Sequence, residues 1–248
     1  MDIINPVATG PVVLVCEHAS NVLPPELGDL GLDAPTRHSH IAWDLGAMAV
    51  ATHMSAELDA PLVAQRFSRL VYDCNRSPGA HDAIPSISEH HQIPGNIGLS
   101  AEVRAARTGR FYTPFCDAVS ACLENGAAQE PVLVTVHSFT PVYKGEVRSV
   151  EIGILHDSDA RLADAILAQA NGGEFNVQRN MPYGQQDGVT FTLTHHAVSR
   201  GLLNVMIEIR NDLIATEADQ LKVATLLAGW VRSAVQSLDG QQQREASQ

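Results

Sequence analysis

Two hydrophobic periodicities alternate along this chain. Short, β-branched apolar runs occur at residues 11–16, 132–136, 149–155 and 204–209. Apolar on consecutive positions, such runs predict strands buried on both faces. Between them, apolar residues recur at helical spacing. Leu45, Met48, Ala49, Thr52 and Ala56 predict a helix from Trp43 to Leu58, stopped at Asp59-Ala60-Pro61. Ser100 caps a second helix running to about Glu124, with a break marked by Gly109 and Pro114. Asp159–Ala170 and Val189–Ser199 predict two more. Thr216 and Asp219 open a last helix with Leu221, Ala224, Leu227, Val231 and Val235 on one stripe. The stretch from Pro61 to Arg76 predicts one strand, or two split near Phe67–Ser68, and Asn176–Gly184 is irregular or a short strand. Residues 20–35 and 77–99 are rich in Pro and Gly and predict loops, the second long enough to be a pocket wall or lid. The alternation implies an α/β fold with a mixed, mostly parallel sheet and helices on both faces. We expect one domain over residues 1–240 and a frayed polar tail over 241–248.

Three of the apolar runs end in polar residues suited to chemistry. The first closes on Glu17 and His18, the central one on His137 and Ser138, and the last on Glu208, Arg210, Asn211 and Asp212. Ligands of open α/β sheets bind outside the carboxyl ends of the strands. Two imidazoles there suit a metal, which needs a third protein ligand. Glu17, Asp44 and Asn21 are the choices. Glu208 suits a general base, and Arg210 a partner for it. Asp73, Asn75 and Arg76 in "YDCNRSP" suit the binding of a substrate carboxylate. Tyr183 suits a donor to a developing oxyanion. Each group also has an ordinary use: a hydrogen-bonded histidine, a Glu208–Arg210 ion pair, a turn capped by Asp73 and Asn75, or a helix N-cap at Asp44.

Charge narrows the partners. The 248 residues carry a formal net charge of -12, which argues against nucleic acid as a partner. No run approaches the length needed to span a bilayer, and the first ten residues show no signal-peptide pattern. The four cysteines form no C-x-x-C pair, so buried thiols in a cytoplasmic protein are expected. The chain contains no G-x-S-x-G, G-x-G-x-x-G, phosphate-binding G-x-x-x-x-G-K or H-E-x-x-H motif. Oligomeric state leaves no trace in the sequence.

Seven segments, in order, resemble the N-formylglutamate amidohydrolase family in its "-like" branch: "VCEHASNVLP", "RHSHIAWDLGA", "SRLVYDCNRSP", "VHSFTPV", "EIGIL", "NMPYG" and "VMIEIRNDLI". The resemblance runs from about Val12 to Ile214. It implies a fold like that of zinc carboxypeptidases and aspartoacylases, of the phosphorylase/hydrolase-like kind, with one catalytic zinc. It implies hydrolysis of an N-acyl amino acid, such as N-formyl-L-glutamate to formate and glutamate in histidine catabolism. By position, His18 and His137 match metal ligands, Asn75 and Arg76 the carboxylate-binding pair, and Glu208 the general base. Carboxypeptidases use H-x-x-E, but Asn21 stands at that fourth place. The third ligand is therefore expected to be Asp44, with Glu17 in reserve. A deacylase or carboxypeptidase acting on another N-acyl amino acid or peptide shares these residues. A non-catalytic small-molecule-binding protein on the same fold is the other alternative.

Overall fold

A computed structural model describes residues 1–126, 128 and 130–245. Seven strands form one sheet: β1 (Asp2–Ile4), β2 (Val12–Cys16), β3 (Leu62–Ala64), β4 (Val132–Phe139), β5 (Ile152–Leu155), β6 (Val177–Arg179) and β7 (Asn204–Arg210). Their order across the sheet is β1-β3-β2-β4-β7-β5-β6. Neighbours pair parallel at β3–β2, β2–β4, β4–β7 and β5–β6. They pair antiparallel at β1–β3 and β7–β5. This is the mixed, mostly parallel α/β fold that the alternating periodicities predicted.

Both faces of the central strands are covered, as unbroken apolar runs require. Val12, Leu14 and Cys16 of β2, Val134 and Val136 of β4, and Val205, Ile207 and Ile209 of β7 face one core. The helices on that side are α1 (Ala47–Leu58), α4 (Arg161–Ala170) and α6 (Glu217–Glu245). Val13, Val15, Leu133 and Met206 face the other core. The chain from Phe111 through α3 (Thr113–Asn125), together with α5 (Phe191–His196), covers it.

Several elements differ from expectation for local physical reasons. Only Leu62–Ala64 of the stretch from Pro61 to Arg76 is strand. Leu70, Val71 and Tyr72 are buried, but in a loop lying over the sheet. Side chains satisfy its backbone: Asn96 Nδ2 donates to the Leu70 carbonyl at 2.8 Å and Arg107 Nη1 to that of Val71 at 3.3 Å. The break at Gly109 and Pro114 is a π-helical segment, Thr108–Tyr112, between α2 (Ala101–Arg107) and α3. Ser100 does cap α2, its side chain accepting from Val103 N. Leu221, expected on the buried stripe of α6, is exposed. That helix runs on to Glu245, through part of the stretch expected to fray, and residues 246–248 lie outside those described.

Gly153 in β5 has no room for a side chain. A Cβ there would meet the Met181 carbonyl oxygen at 1.9 Å. Gly153→Ala must therefore displace backbone and is expected to cost about 2–3 kcal/mol. Urea unfolding at constant m-value measures this. A loss below about 0.5 kcal/mol, the level of a neutral surface change, would show that the strand has room.

Candidate active site

The carboxyl ends of parallel β2, β4 and β7 converge at one edge of the sheet, and the polar residues that end these runs meet there. Glu208 pairs in register with His137. Side chains alternate along a strand, so both point to the face that holds Leu133 and Met206. Asp44 comes from the connection between β2 and α1. Its backbone N–H donates to the His18 carbonyl at 3.0 Å. Gly46, which follows, adopts a left-handed φ of 80°, and a Cβ on it would meet the Ile214 carbonyl oxygen at 2.7 Å. That tight turn aims the Asp44 carboxylate back at the strand ends. It is not a helix cap: the helix begins after Gly46.

One oxygen, Asp44 Oδ2, lies 2.9 Å from His137 Nδ1, 3.3 Å from His18 Nδ1 and 3.3 Å from the Ser138 amide that donates to it. The two imidazoles meet edge to face, with centroids 4.9 Å apart. The outer nitrogens meet carboxylates in turn. His18 Nε2 is 2.7 Å from Asp73 Oδ1, and His137 Nε2 is 3.1 Å from Glu17 Oε2. The second pair is close but too poorly aligned to be a hydrogen bond, leaving both Glu17 oxygens and His137 Nε2 buried without one. Arg69 closes the cluster, 2.6 Å from Asp73 Oδ2 and 3.5 Å from Asp44 Oδ1.

These six side chains set one another's charge. Burial opposes ionisation of Asp73, but the Arg69 guanidinium and then His18 override it and hold the carboxyl well below the usual range. Asp44 is likewise lowered against burial, by His18 and His137. Burial would depress His137, yet Glu17 and Asp44 raise it well above an ordinary histidine. His18 is raised too, Asp73 and Asp44 outweighing burial and the repulsion of Arg69. With both imidazoles neutral, three carboxylates (Glu17, Asp44, Asp73) against one guanidinium (Arg69) leave a formal charge of -2. That donor set fits a divalent cation. A ligand atom from each of His18, Asp44 and His137 lies within 4.8 Å of the other two. The carboxylate bonded behind His18, Asp73, is the arrangement that orients a histidine ligand. Between the two choices for a third ligand, the geometry separates Asp44, on the shared side of both rings, from Glu17, behind His137.

Four of the six, His18, Asp44, Arg69 and His137, line a cavity of about 210 Å³ together with Asn75, Arg76, Tyr183 and Glu208. Burial, reinforced by Asp44, pushes Glu208 up to about 7, and its Oε2 is buried with no hydrogen bond. The Tyr183 hydroxyl accepts from Arg148 Nη1 at 2.9 Å and keeps its own proton to donate. Asn75 has its amide committed at both ends, Nδ2 donating to the Val189 carbonyl at 2.6 Å and Oδ1 accepting from Thr192. Arg76 is held by Asp82 through Nε and by the Asn75 carbonyl through Nη1.

Two residues expected in the pocket are placed elsewhere. Arg210 does not bond Glu208. Its guanidinium goes to Asp212, Glu151 and the Arg148 carbonyl, which draw it away from the cavity. Asp73, expected to bind substrate, is buried behind His18 and bonded to it and Arg69. Arg69 itself was missed, as was Arg148, whose guanidinium stacks against Tyr143 and Tyr183 at 4.5 and 4.7 Å. The one available signal for Arg69 was a lone charge inside the apolar run "FSRLVY", where burial demands a partner.

No curated protein matches the chain. Among solved structures it is similar to the gene product Atu2144 from Agrobacterium tumefaciens, with 54% identity, coverage of 96% of this chain and 95% of that one, and a TM-score of 0.94. It is also similar to an N-formylglutamate amidohydrolase from Ralstonia eutropha JMP134, with a TM-score of 0.56, coverage of 91% and 95%, and 19% identity, a likeness of fold. The family model for N-formylglutamate amidohydrolase matches residues 10–215, a span that holds every residue of the cluster and cavity described above, and the chain belongs to that family.

Proposed function

We propose that the chain is a zinc-dependent amidohydrolase that cleaves the acyl C–N bond of an N-acyl amino acid, with N-formyl-L-glutamate as its substrate. The observation that carries this reading is the approach of Asp44 Oδ2 to both His18 Nδ1 and His137 Nδ1, in a cluster of formal charge -2. Zinc held by His18, Asp44 and His137 would polarise the acyl carbonyl and bring the pKa of water down to about 7. Glu208, in register with His137, takes the proton of the attacking water and returns it to the leaving nitrogen. Tyr183 donates to the oxygen of the tetrahedral intermediate, and burial followed by the nearby Glu208 charge keeps it protonated, with its pKa raised to about 12. Of the pair expected to grip the carboxylate, Arg76 has a donor to give. Asn75 holds the cavity wall through Oδ1 and one Nδ2 hydrogen, and its second Nδ2 hydrogen is left for the substrate.

Formate release tests the reaction. Protein purified with zinc is expected to hydrolyse N-formyl-L-glutamate faster than N-acetyl, neutral N-formyl or peptide substrates. A preference for one of those would move the chain to another deacylase or peptidase activity, and no turnover of any would leave a binding protein. Glu208→Gln is expected to keep its zinc and to lose ~10²–10⁴-fold in kcat. Near-full activity in that variant would remove Glu208 from the role of base.

Asp73→Asn tests the oriented histidine. The amide keeps the shape but not the charge behind His18. Zinc affinity, measured by chelator competition, is expected to fall ~10–100-fold. Unchanged affinity would show that Asp73 serves only Arg69.

A further inference from the structure

Away from the cavity, α3 and α5 bring a second set of metal-ligating side chains together. Cys116 on α3 lies with its Sγ 3.4 Å from His195 Nε2 on α5. The rings of His195 and His196 meet edge to face, with centroids 4.7 Å apart. One ligand atom from each of Cys116, His195 and His196 lies within 4.8 Å of the other two. We propose that Cys116, His195 and His196 form a second, thiolate-containing site for a thiophilic divalent cation, zinc by preference, that pins α5 to α3.

The side chains around the cluster hold the three donors in place. His195 is exposed, yet its ring stacks on Phe191 at 5.3 Å and 19°, which limits its orientations. His196 is buried, and Ser120 Oγ lies 3.3 Å from its Nδ1. Arg200 bonds Ser120 and pairs with Glu124 at 3.2 Å, so its charge is partly compensated. One thiolate and two imidazoles suit zinc, and sulfur disfavours magnesium and calcium. As the sulfur–metal bond forms, the Cys116 thiol gives its proton to solvent, while both imidazoles bind as neutral donors.

Cobalt(II) separates the two centres, since the His18–Asp44–His137 set contains no sulfur. Metal-stripped full-length protein titrated with Co²⁺ is expected to take up two ions per chain. One of them should give a thiolate-to-cobalt charge-transfer band in the near ultraviolet. Cys116→Ser should abolish that band, reduce uptake to one ion and leave formate release unchanged. His195→Gln, at an exposed position and so safe for folding, should weaken the band-forming site about tenfold or more. Absence of the band, or a band that survives both substitutions, would overturn the proposal. A single ion with the band would instead uphold this site and remove the His18 centre.

Discussion

The structure depends on a charge imbalance held inside its sheet edge. Glu17, Asp44 and Asp73 are buried, and one guanidinium, Arg69, faces two of them. An uncompensated buried charge costs several kcal/mol after all relaxation, so a formal -2 does not persist unanswered. Two answers fit the geometry. Protons on His18 and His137 supply two positive charges, and both imidazoles are raised against the burial that would depress them. A divalent cation among His18, Asp44 and His137 supplies the same two charges and releases the imidazoles to their neutral, ligating form. The same side chains thus satisfy the fold without an ion and prescribe the charge of the ion that would fit.

The sheet makes this cluster possible through its direction. Parallel β2, β4 and β7 all present their carboxyl ends at one edge, so residues far apart in sequence arrive side by side. The pleat then sorts them by face: His137 and Glu208, paired across β4 and β7, turn toward the cavity, and the neighbouring apolar residues turn into the opposite core. Parallel pairing needs long crossovers, and the crossover from β2 to β3 supplies Asp44 and the tight turn at Gly46.

What the sequence reveals follows from the range of the forces involved. The strand ends were legible because burial on both faces writes a continuous apolar run, and a polar residue closing it must emerge at the sheet edge. His18, His137 and Glu208 were found in that way. Residues 65–76 were not legible in the same terms. Leu70–Tyr72 is as apolar as a strand, but its carbonyls are satisfied by Asn96 and Arg107, side chains that no local pattern connects to it. Arg210 shows the converse. It alternates with Glu208 as a pocket residue should, yet Glu151 and Asp212 were free to draw it away. Periodicity fixes which side of an element a side chain leaves from. Which partner then captures it depends on contacts tens of residues distant.

Glu17 and Glu208 make the point sharpest. Each is a glutamate at or near the end of an apolar strand, each is buried, and by sequence the two are alike. Burial raises both, but it is opposed differently. His137 faces Glu17 closely enough to reverse the effect and hold it below an ordinary glutamate. Glu208 lacks so close a partner, Asp44 adds its repulsion, and the carboxyl rises to about 7. One becomes a fixed anion behind an imidazole. The other is left near the balance point between acid and base, where proton transfer at neutral pH is easiest. The division of labour between identical side chains is made by the distance of one histidine.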